Sequence, residues 1–122
     1  MTYTIIPIKI NEEGNLTEAN ILGYRLSIVM DSTILVFEYN NQTKLFLIST
    51  KEIVLTFSKE EMNILKTSFI RYDSTKQQEI ACIGNNIFSI DWVGFSMNIR
   101  GLFRFSLPYS VYEPLLKFFE KV

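Results

Sequence analysis

Glu60 with Glu61, Glu12 with Glu13, Asp91 and Cys82 are the side chains here whose types could carry acid–base or nucleophilic chemistry. None stands in a pattern that such chemistry requires. Glu60 and Glu61 follow Ser58 at the start of a helical pattern, where acidic groups favour the helix dipole. Glu12 and Glu13 fall in the polar run Asn11-Glu12-Glu13-Gly14-Asn15, which reads as a turn. Asp91 is a lone carboxylate beside Trp92, with no second acid at a spacing that would make a catalytic pair. Cys82 is the single cysteine, set in a short apolar strand, and is expected to pack as a small hydrophobe. It cannot form an intramolecular disulfide or a thiolate cluster. The 122 residues contain no histidine, which removes Ser-His-Asp and Cys-His pairs and histidine-ligated zinc. Gly94 and Gly101 do not form a phosphate loop and mark strand ends or bulges. No enzyme, metal or cofactor reading emerges.

Charge is spread without a pole. The net charge is −3 over residues 1–43, +2 over 44–76 and zero over 77–122. A continuous basic stripe of the kind that tracks phosphates is absent. Hydrophobic residues make up 48% and charged residues 20%, a balance that excludes a disordered chain. The length fits one domain whose core needs no disulfide or metal. The opening residues lack the basic start and apolar run of a secretory signal, and no stretch reaches the roughly 18 apolar residues of a membrane span. A soluble, cytoplasmic protein is expected, with no membrane partner. Asn15-Leu16-Thr17 and Asn41-Gln42-Thr43 match glycosylation acceptors, but without an export signal they are chance matches.

The dominant hydrophobic period is two, that of a half-buried strand. Strands are expected at Tyr3–Ile10 (an edge strand or a strand start, from Pro7), Tyr24–Met30, Ile34–Tyr39, Thr43–Thr50 and Ile53–Phe57. Residues 16–22 are given a helical turn capped by Thr17. Ser58 and Glu61 then form a capping box, with Phe57 and Met62 at staple positions. Met62, Leu65 and Phe69 continue the stripe of a helix ending near Arg71. Asp31-Ser32-Thr33 and Asp73-Ser74-Thr75 are both read as turns. Further strands follow at Glu79–Ile83, Ile87–Trp92, Phe95–Arg100 and Leu102–Leu107, with a hairpin turn at Gly84-Asn85-Asn86. Pro108 opens a C-terminal helix carrying Val111, Leu115, Phe118 and Val122.

The fold class is therefore α+β, a single domain of mainly antiparallel sheet with two helices. It comprises an N-terminal strand and two ββββα units, residues 24–72 and 80–122. In the second unit one sheet face is apolar and the other offers Ser89, Asp91, Ser96, Asn98, Arg100, Arg104 and Ser106 to water. In the first, both faces of the hairpin around Asn41 are apolar. Leu45 and Leu47 oppose Phe46 and Ile48, and Ile34 and Val36 oppose Leu35, Phe37 and Tyr39. One face takes the helix of residues 59–70. The other needs a cover, because large exposed apolar patches are unusual on monomers. That cover is either the second unit or a second copy or protein partner. The second unit is the favoured cover, because filling a core is what most apolar strand residues do. The 17 aromatic residues exceed what a minimal core requires and make a homodimer an expectation as well. The expected function is a non-catalytic interaction module using Leu35, Phe37, Tyr39, Phe46 and Ile48.

The order of elements resembles that of Whirly and PUR-repeat single-strand nucleic-acid binders, built from ββββα units. The resemblance covers residues 24–122 as topology only; the lysine-rich Whirly signature and the usual basic excess are missing. It implies bases stacked on strand aromatics such as Tyr39 and Phe46. Phosphates would meet Lys44, Lys51, Arg100 and Arg104.

Overall fold

The structure, a computed structural model, describes residues 1–9 and 21–122. Expectations for Ile10, the 11–15 turn, the Thr17 cap and the acceptor site at Asn15 lie outside the described residues. The fold is α+β, with nine strands in two antiparallel sheets and two helices among the described residues. The element order is that of an N-terminal strand followed by ββββα units. By contacts, however, the chain forms two compact units with other boundaries: Met1–Lys59 with Phe118–Val122, and Glu60–Lys117.

The first unit is a five-stranded meander: β1 (Thr2–Lys9), β2 (Ile21–Met30), β3 (Thr33–Asn40), β4 (Leu45–Ser49) and β5 (Val54–Ser58), neighbours in that order. Ile21 and Leu22 open β2 rather than closing a helical turn. Pro7 sits in β1, an edge strand, as its missing N–H requires. Gly23 is required in β2, because a Cβ there would strike the Tyr39 carbonyl of β3. Side chains at the strand ends set the turns. Asn40 Oδ1 accepts the N–H groups of Gln42 (2.8 Å) and Thr43 (3.2 Å). Asp31 takes a left-handed φ of 50° in the β2–β3 turn.

Alternation along each strand places Leu26, Ile28, Leu35, Phe37, Tyr39, Phe46, Ile48, Leu55 and Phe57 on one buried face. Phe46 stands at its centre, with ring centroids of Phe37, Phe57, Phe118 and Phe119 at 6.0–6.5 Å. The helical cover is thus a correction. Phe118 and Phe119 of the C-terminal helix pack on Phe46, where the helix beginning at residue 59 was expected. Both stripes are apolar, and strand period alone cannot assign helices to sheets.

In the second unit, helix α1 (Lys59–Thr75) accompanies strands β6 (Glu79–Ile83), β7 (Asn86–Ile90), β8 (Gly94–Ile99) and β9 (Phe103–Pro108). The helix begins directly after Ser58 and buries Met62, Leu65 and Phe69 as the spacing predicts. Phe69 lies 5.3 Å from the Phe95 ring and stacks on Tyr112 at 6.1 Å. The helix runs four residues beyond Arg71, so Asp73-Ser74-Thr75 is helical and not a turn. Tyr72 is buried beside Tyr109 and Tyr112, which holds the helix together past Arg71, while Asp73, Ser74 and Thr75 of its last turn stay exposed. Lys76, at φ 56°, ends the helix with its N–H on the Tyr72 carbonyl.

Gly84 and Asn85 close the β6–β7 hairpin, Gly84 at φ 59°. Pro108 is not the first helical residue; it ends β9, and a 3-10 turn (Tyr109–Val111) precedes α2 (Tyr112–Lys121). Pro114 sits within the first turn of α2, where its missing N–H costs nothing. The stripe Val111, Leu115 and Phe118 is fully buried.

Candidate interaction surface

The five residues expected to form an interface, Leu35, Phe37, Tyr39, Phe46 and Ile48, are only 0–3% exposed within the chain itself. They are core. Ring and aliphatic volume concentrates on that face, so the protein's own apolar groups cover it. The opposite face of the same sheet leaves aliphatic side chains open, as do Trp92, Val93 and Leu102 in the loops of the second unit.

The register defines that outer face. One row is Thr2, Val29 and Ile34; the next is Thr4, Ser27, Val36, Ser49 and Val54. Ile6, Arg25, Glu38, Leu47 and Thr56 form a third row, then Ile8, Gly23, Asn40, Leu45 and Ser58. Ile6, Val29, Ile34, Leu45 and Val54 are 40–66% exposed, and Val36 and Leu47 half-buried. At the centre lies a shallow depression of about 330 Å³ walled by Arg25, Ser27, Val36, Glu38, Leu47 and Ser49. Arg25 and Glu38 are directly opposed across β2 and β3, and the guanidinium donates from Nε (2.7 Å) and Nη2 (2.6 Å) to Glu38 Oε1. These are the only charged side chains in the four rows, so the face carries no net charge.

The nucleic-acid candidates are not assembled. Tyr39 and Phe46, the proposed stacking platforms, are buried at 1% and 0% exposure. Lys44 and Lys51 are exposed beyond opposite ends of β4, whose five residues of extended chain span about 16 Å. Arg100 (φ 54°) and Gly101 (φ 69°) form the turn between β8 and β9, and the Arg100 N–H donates to Asn86 Oδ1 at 3.1 Å. Arg104 is exposed opposite Asn98.

Asp91 has structural work and Cys82 a surface position. Asp91 Oδ1 accepts the N–H groups of Val93 (2.9 Å) and Gly94 (3.1 Å), shaping the β7–β8 turn. Cys82 is exposed, contrary to the packing expected of it, because Ala81 and Ile83 take the buried positions of β6. Among the described residues, no group of three or more Asp, Glu or Cys is placed to hold a metal ion, and no helix is long and apolar enough to cross a membrane. The Tyr72, Tyr109 and Tyr112 cluster was not singled out from sequence, since its members lie 37 and 40 residues apart along the chain. No protein-family model, curated protein or solved structure matches the chain.

Proposed function

We propose that the protein is a non-catalytic interaction module that associates with a second copy of itself through the outer face of β1–β5. The observation that carries this reading is the set Ile6, Val29, Ile34, Leu45 and Val54, all on one face and all at least 40% exposed. Scattered exposed aliphatics such as Ile6 need no explanation, but Val29, Ile34, Val36, Leu47 and Leu45 follow one another as cross-strand, same-face or diagonal neighbours, with Val54 diagonal to Leu47. Such a run marks a surface that water leaves on binding. Five strands at about 4.8 Å spacing and five to ten residues each give a footprint of roughly 400–600 Å² in projection. The accessible area of a side-chain-covered face exceeds its projection. It is therefore of the order of the ~800 Å² that each partner contributes to a standard interface.

Electrostatics favour a like partner. Arg25 and Glu38 neutralise one another in place, so two copies of the face meet without net repulsion and without a bare charge to bury. A polyanion gains nothing from such a face. The test replaces Val36 and Leu47 together by lysine and follows mass by sedimentation. Neither residue belongs to the buried core, so the variant should keep its circular dichroism and sediment as a monomer. A folded variant with the same association as the parent chain would refute the assignment.

A further inference from the structure

We infer that the groove between α1 and the free edge of β6 binds an extended peptide by strand addition, with an acidic residue at the Arg71 end and a basic residue at the Glu60 end. This surface belongs to the second unit and is separate from the face proposed for self-association. The groove holds about 390 Å³ and is walled by Asn63, Ile64, Thr67 and Arg71 on one side and Ile80 and Cys82 on the other.

Three observations define the occupant. First, β6 is an edge strand whose only ladder among the described residues is with β7. A two-residue turn makes Ile83 and Asn86 a hydrogen-bonded pair, so Ala81 and Glu79 also bond to β7. The N–H and C=O groups of Ile80 and Cys82 then point to the open edge, as an added strand requires. Second, Glu60, Ile64, Thr67 and Arg71 recur at helical spacing, so one stripe of α1 forms the opposite wall. Third, Glu60 and Arg71 are exposed and form no ion pair among the described residues. Eleven residues of helix separate them by about 16 Å, the length of about five residues of extended chain. Two free charges of opposite sign, spaced as the ends of β6 are spaced, select a short strand with complementary ends. Ile64 and Ile80, both about half exposed, provide apolar contact between them.

The probes are two acetylated, amidated hexapeptides, Asp-Thr-Val-Thr-Val-Lys and its reverse-charge order Lys-Thr-Val-Thr-Val-Asp, added to the full ¹⁵N-labelled chain. One of the two should slow hydrogen exchange at the Ile80 and Cys82 amides. Arg71→Glu should weaken that peptide by about fivefold, and a peptide with lysine at both ends should recover the loss. Cys82→Pro removes an outward N–H while sparing the β6–β7 ladder, and should abolish binding. The inference is overturned if neither peptide protects these amides at about 1 mM. It also fails if Arg71→Glu leaves affinity unchanged, or if protection follows protein concentration alone, which would make the occupant a second copy.

Discussion

Phe46 and Leu47 are consecutive residues of one strand with opposite environments. Phe46 is fully buried among four other phenylalanines, whereas Leu47 lines the open depression beside Arg25 and Glu38. Phe46→Ser should lower stability by about 3–5 kcal/mol, as expected for emptying a large aromatic site, and urea unfolding monitored by circular dichroism measures it. A folded Phe46→Ser chain of near-parental stability would place that ring outside the core. The opposition of Phe46 to Leu47, and of Phe37 to Val36, was legible in the strand period. Which side closes was not, because both sides carry aliphatic side chains and only the aromatic volume distinguishes them. Cys82 shows the same limit: its strand reads as uniformly apolar, yet alternation puts Ala81 and Ile83 inside and leaves the thiol outside.

Among elements, the end of α1 is the most informative. Asp31-Ser32-Thr33 and Asp73-Ser74-Thr75 are identical triplets, the first at a hairpin and the second inside the last turn of a helix. Long-range partners decide between them. Asp73 accepts the Tyr112 hydroxyl at 2.8 Å and Lys76 Nζ at 3.2 Å, and Lys76 lies over the Tyr72 and Tyr112 rings. The Tyr112 hydroxyl and then Lys76 hold the Asp73 carboxyl below its ordinary value. Its contribution is therefore complete above the ordinary carboxylate range and is lost as pH falls through the lowered value. Tyr112→Phe should reduce that acid-side loss, read from thermal melts across acidic pH. Tyr72 donates to Tyr109 at 3.4 Å, and this bond, followed by burial, pushes its phenol from 10.0 up to about 12. The stability linked to Tyr72 is present below pH 10 and disappears as pH rises through about 12. Tyr109→Phe should bring tyrosinate absorbance and unfolding to lower pH; an unchanged alkaline midpoint would contradict the hydrogen bond's role.

At the scale of the molecule, the α+β class, the strand count and the order of elements were legible, because strand alternation and the Ser58 helix start are local signals. The distribution of helices was not. Phe118 and Phe119 serve the first unit and α1 serves the second, a choice made by packing between residues far apart in the chain. The candidate surface followed the same logic: a doubly apolar hairpin was visible, and only the register separated its core from its open side. Net charge is −1 at pH 7, so little long-range repulsion opposes association of like chains. Proposed self-pairing through the outer face of β1–β5 would set the mass of the particle in solution. Light scattering on the parent chain across a dilution series tests it most directly. A self-pairing chain should show twice the single-chain mass at high concentration, falling toward a single mass on dilution. A strict monomer throughout the series would contradict it.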